Sequence, residues 1–131
     1  MLDRTGVPFL NAAGGSDRIA GFLEERGILA FASDVAGRTP INFLGLDMLG
    51  SFGAARFAVQ TNSPVVVLVT SHPDADGNPY FQLHAPLESG DFADPAALLT
   101  EMFRRHEPAV LAWPAAYDSP YGRLAVPSQT S

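Results

Sequence analysis

Pro64-Val65-Val66-Val67-Leu68-Val69-Thr70 is the stretch on which the fold turns. It is apolar and β-branched at nearly every position, so it reads as a central strand covered on both faces. The residues that follow, Asp74-Ala75-Asp76-Gly77-Asn78-Pro79, are turn formers. Tyr80-Phe81-Gln82-Leu83-His84 then resumes strand character, which makes it an antiparallel hairpin partner.

Working back towards the start, a helix is expected from about Phe52 to Thr61, with Ala55, Phe57, Ala58 and Val59 as core candidates. Glycines at 50 and 53 suggest close approach of the backbone to a neighbour or a ligand. Ile41 to Leu44 reads as an extended segment ending at Gly45, and Ser33 to Pro40 as a loop broken by Gly37 and Pro40. Ile28 to Ala32 reads as a short buried strand. Before it, Ile19, Phe22 and Leu23 form an apolar helical stripe, capped by Ser16 or Asp17 and stopped by a left-handed Gly27.

Working forward, Asp94-Pro95 is a helix start, and Leu98, Leu99, Met102 and Phe103 follow at helical spacing. Arg104-Arg105-His106 would complement the negative end of that helix, which Pro108 closes. Val110 to Trp113 reads as a last short strand. The expected fold is therefore α/β, a mixed sheet flanked by helices. One domain is expected over residues 1–115, with residues 116–131 as an irregular or flexible tail.

Composition narrows the function. The chain has 131 residues, 47% of them hydrophobic, enough to bury a core. It has no cysteine, which excludes disulfides and thiolate metal sites. A formal net charge of −6 argues against nucleic acid, whose phosphates demand a basic surface. The longest apolar run is of strand length, well under the ~20 residues of a spanning helix. Met1-Leu2-Asp3-Arg4 does not begin a signal peptide. A soluble cytoplasmic protein, peripheral to membrane at most, is the expectation.

Four stretches together resemble the lysophospholipid acyltransferase superfamily, in particular the C-terminal portion of bacterial lipid A and phosphatidylinositol-mannoside acyltransferases. They are the helix from Asp17 to Gly27 with Ile28-Leu29-Ala30-Phe31-Ala32-Ser33-Asp34; Arg38-Thr39-Pro40-Ile41-Asn42-Phe43-Leu44-Gly45; Gly53 through Val66; and Phe103-Arg104-Arg105-His106-Glu107-Pro108 through Trp113. The likeness covers residues 17 to 115 and implies a partial glycerolipid acyltransferase fold. It implies an acyl-CoA or acyl carrier protein as donor and a lipid or glycolipid as acceptor.

The departures from that family matter more. Its catalytic motif is His-x4-Asp or His-x4-Glu, the imidazole acting as general base on the acceptor hydroxyl. Here His72, His84 and His106 are followed at that spacing by Gly77, Ser89 and Leu111. The family's closing His-Arg-Arg is replaced by Pro114-Ala115-Ala116. In the family the motif lies upstream of the helix at Asp17, so this chain is expected to be part of an enzyme domain, or a descendant that lost the chemistry. No catalytic residue and no cofactor is assigned.

By the same resemblance Asp34 and Arg38 are the ligand-binding candidates, near the mouth of the family's active site. Arg38 can grip a phosphate bidentately or pair with Asp34. A loop ion pair of little energetic consequence is the plainer reading. His72, Asp74 and Asp76 do not follow the spacing of a calcium loop or a zinc site, and turn chemistry explains the two aspartates. Ser16 follows two glycines but lacks the Lys-Ser/Thr of a P-loop, and Ser51 lacks a nucleophile elbow. Because half a sheet leaves an open strand edge, a second chain or a homodimer through that edge is expected as partner. The competing reading is a non-enzymatic binding or assembly module on the same α/β scaffold.

Overall fold

Asp94 and Pro95 start a helix as their chemistry requires. The Asp94 carboxylate accepts the Ala97 backbone N–H at 2.8 Å, and Pro95 sits in the first turn, where its missing donor costs nothing. The structure, a computed structural model, describes residues 10, 14–70, 73–117 and 124–128. In order they form α1 (Ser16–Glu24), β1 (Ala36–Phe43), β2 (Leu46–Gly50), α2 (Gly53–Thr61), β3 (Leu68–Thr70), β4 (Phe81–Leu83) and α3 (Pro95–Ala112). The fold is mixed α/β, and its strands form two antiparallel pairs, β1 with β2 and β3 with β4. The chain divides into two compact units, Met1–Ala30 and Phe31–Ser131.

The first unit contains α1. Its N-cap is Gly15, with no side-chain cap, so Ser16 and Asp17 lie inside the first turn instead of preceding it. Its end is a Schellman motif: Gly27 N–H donates to Phe22 O and Arg26 N–H to Leu23 O. The left-handed residue is Arg26, at φ 65°, not Gly27. Gly27 is needed one position later, where a Cβ would run into the Phe22 ring.

The second unit is organised by α3, which packs against β1, β3 and α2. Phe43, Met48, Leu98, Leu99, Phe103 and Leu124 fill the centre of its core, with Phe43 and Phe103 edge to face at 5.1 Å. Leu124 arrives from beyond α3, and Leu49 pairs with Ala125 on the far side of β2. The β1–β2 turn is tight: Leu44 at φ 55° and Gly45 at φ 76° join the closing pair Phe43 and Leu46. Two positive φ values at the centre mark a type I′ turn, whose twist suits a hairpin. At the hairpin's other end the register shifts between Ala36 and Thr39, and Gly37 lies so close to Gly50 that a Cβ would strike the Gly50 carbonyl.

Five expectations about elements are corrected. Pro64 to Thr70 is not a central strand covered on both faces: only its Leu68–Thr70 part is strand, among the described residues that strand pairs with β4 alone, and Leu68 is exposed because no layer covers that face. Ile28 to Ala32 forms no strand: a strand exists through its ladder, none of the described strands lies alongside, and Ile28 is 95% exposed. The segment 33–40 is not all loop, because β1 already begins at Ala36. Pro108 does not close the last helix, and Val110 to Trp113 is not a strand. α3 continues to Ala112 because Val110 extends the apolar stripe of Leu99 and Phe103 into the core, while the Pro108 ring lies exposed on the opposite side.

Candidate functional site

β1 positions Arg38, the first ligand-binding candidate. The residue falls in the irregular stretch between Ala36 and Thr39, both of which pair with Gly50, and Gly50 leads within three residues to the start of α2. Its side chain is exposed and enters none of the ion pairs among the described residues, which are Arg104–Glu101 and Arg105–Glu101. Asp34 lies half-buried at the bend before β1 and is engaged in a contact of its own. It does not form an ion pair with Arg38. Among the described residues, then, the exposed Arg38 guanidinium has no ion-pair partner, and it lies beside the point where β1 meets Gly50.

The basic cluster on α3 is different in kind. Arg104 and Arg105 both bind Glu101, at 2.7 Å and 3.0 Å, and Arg105 also donates to the Ala85 carbonyl at 2.9 Å. Hydrogen bonds from Arg104, with help from Arg105, hold the Glu101 carboxyl well below its ordinary value, at about 2. These two cations share one carboxylate within the helix. They also lie in the middle of α3, not at its end, so they do not answer the helix dipole.

Of the three histidines, His84 and His106 are described. The His106 ring packs edge-on to Tyr117 at 5.4 Å and near Phe43 at 5.8 Å, at the margin of the core. His84 lies in the β4 hairpin, its backbone N–H donating to Val67 O. His72 lies outside the described residues. Asp74 and Asp76 belong to a turn in which Asp74 Oδ1 accepts the N–H groups of Asp76 and Asn78. Among the described residues no group of three His, Asp or Glu side chains is arranged for a metal.

Three positions escaped the sequence reading. Glu107 accepts the Leu44 backbone N–H at 3.0 Å, fastening the β1–β2 turn to α3 across 63 residues. Ser89, buried in a short 3-10 turn, donates to Asn62 Oδ1. Asn62 ends α2 at φ 52°, with Ser63 N–H returning to Ala58 O. Only Asn62 carried a signal, since asparagine tolerates the left-handed conformation. In the first unit, Leu10, Arg18, Gly21, Phe22 and Glu25 line a shallow open depression of about 370 Å³. None of the described helices is long and apolar enough to cross a membrane. The sequence matches no protein-family model, and it matches no curated protein.

Proposed function

We propose that this chain is an acyltransferase-like domain of the lysophospholipid acyltransferase type, one that binds an acyl donor or a lipid acceptor but does not transfer the acyl group alone. The observation that carries this reading is Arg38, exposed and outside the described ion pairs, on the segment whose residues resemble the family's loop and strand before its small-residue helix. A phosphate of acyl-CoA, of an acyl carrier's prosthetic arm or of a lipid headgroup is the group such a guanidinium would hold. The missing step is deprotonation of the acceptor hydroxyl, because no histidine of the sequence has an acid at the family's spacing. The base then comes from outside these residues. A place on the cytoplasmic side, peripheral to a membrane, belongs to the same proposal.

The test has two arms. Purified chain mixed with acyl-CoA and lysophospholipid or glycolipid acceptors is expected to release no CoA; clear turnover contradicts the missing base. Calorimetric titration with acyl-CoA is expected to show binding that Arg38→Ala weakens roughly tenfold or more, as loss of a charge-assisted contact would. No binding by the intact chain would leave the α/β scaffold to an assembly role, the second reading, which the open sheet edge described next favours.

A further inference from the structure

We infer that the outer edge of the segment Val66–Thr70, which ends in β3, pairs with the same edge of a second copy of this chain, the two segments antiparallel about a two-fold axis at Leu68. The starting point is the direction of the backbone groups. Val67 O accepts from His84 N–H, and Val65 exchanges both its bonds with Leu87, so the odd-numbered residues turn their N–H and C=O groups towards β4. In an antiparallel ladder successive residues alternate in direction. Val66, Leu68 and Thr70 therefore present theirs to the other side, where no described strand lies. The same three residues carry the outward side chains, Val66 at 48% and Leu68 at 54% exposure.

The other strand edges among the described residues are shorter or interrupted. β2 is covered by Ala125. β1 contains Pro40, which has no donor, and its register breaks at Gly37 and Arg38; both devices discourage strand addition. Along β4 the row ends at Ala85, whose carbonyl is taken by Arg105, and at a bulge where Ala85 and Pro86 oppose Val66. The Val66–Thr70 edge offers three outward residues in a row, against the two, Phe81 and Leu83, of β4.

A second copy is the occupant that this row fits. A two-fold axis at Leu68 sets Leu68 against Leu68 and Val66 against Thr70, each pair exchanging both backbone bonds, with apolar side chains adjoining on the outer face. Charge points the same way. Each chain carries −6, yet no Asp, Glu, Lys or Arg occurs between Phe57 and Asp74, so this strip brings two copies together without opposing like charges. The contact is short and belongs to the small, transient class of interfaces, so the dimer forms as concentration rises.

Sedimentation velocity over a wide concentration series tests this on the intact chain. The expected result is a weight-average mass that climbs from 13.9 kDa towards twice that value, with amide exchange at Val66, Leu68 and Thr70 slowing in step. Leu68→Pro removes one outward donor without touching the β3–β4 ladder, and Leu68→Lys places like charges at the axis; each should hold the chain monomeric at every concentration with its melting temperature nearly unchanged. If the proline variant fails to fold, the lysine variant decides. A wild-type monomer throughout, with those amides unprotected, overturns the proposal and leaves the edge to a strand of a different chain. A dimer that survives Leu68→Lys overturns it too. Neither readout involves acyl-CoA, so the outcome is independent of the acyl-transfer reading.

Discussion

The two hairpins of the Phe31–Ser131 unit are built from similar material and end in different states. In β1–β2 a two-residue turn fixes the register, Ile41, Phe43 and Met48 go to the core, and Ala125 covers the outer strand. In β3–β4 the connection is long, the inward side is served by Val65, Val67 and Val69, and the outward side keeps Phe81 and Leu83 at 69% and 65% exposure. Each hairpin is also tied to α3 by one side chain, Glu107 to the Leu44 N–H and Arg105 to the Ala85 carbonyl. The difference teaches that apolar content alone does not bury a strand. A strand is buried on the side where another layer exists, and β3–β4 has one such layer among the described residues.

The largest expected contrast is in the cores. Phe43→Ala, at a fully buried position, should cost about 3–5 kcal/mol of unfolding free energy. Leu83→Ala should stay within about 0.5 kcal/mol, as for an exposed site; urea unfolding of both variants measures the gap, and equal losses would break the comparison. The two tethers come next. Glu107→Ala strands a half-buried N–H and should cost about 2 kcal/mol, whereas Arg105→Ala, on the more open hairpin, should cost under about 1 kcal/mol. A smaller effect is expected at the turn. Gly45→Ala meets no atom within 4 Å, so its loss of about 1 kcal/mol would report backbone strain alone.

The smallest effect follows pH. Glu101 titrates at about 2 in the folded chain against an ordinary 4.5, so its contribution is complete above the higher value and is lost as pH falls towards the lower. As Arg104 is largely exposed, solvent screens most of this contribution. Denaturant unfolding at pH 5 and at pH 2.5 should show a slightly steeper loss for wild type than for Glu101→Gln. Parallel curves would remove the ion pairs from the account of the second hairpin.

What the sequence disclosed follows from the range of the chemistry involved. The Asp94 cap, the turn from Asp74 to Pro79, the helix at 53–61 and the pairing of β3 with β4 depend on neighbours in the chain, and each was legible. The β1–β2 hairpin was not, because its turn places Leu44 where asparagine or glycine is the usual signal. Val110 looked like strand because Pro108 stood before it, and only the core beneath α3 keeps that turn helical. Arg38 was legible as a candidate cation, but its place on a strand irregularity was not, since that depends on Gly50 lying opposite. Glu107 and Ser89 were invisible, their partners being set by tertiary contact.

Pro108 gives α3 two halves with different fates during opening. Without a proline N–H the helical ladder lacks one link to the Arg104 carbonyl, so the rungs before and after it are free to exchange with solvent at separate rates. Residues 95–103 share their protection with the buried Leu98 and Leu99, while the segment from Ala109 to Ala112 is held mainly by Val110. The last turn of α3 is therefore expected to come undone before the rest of the unit, with faster amide exchange at Ala109–Ala112 than at Leu98–Phe103 as its mark.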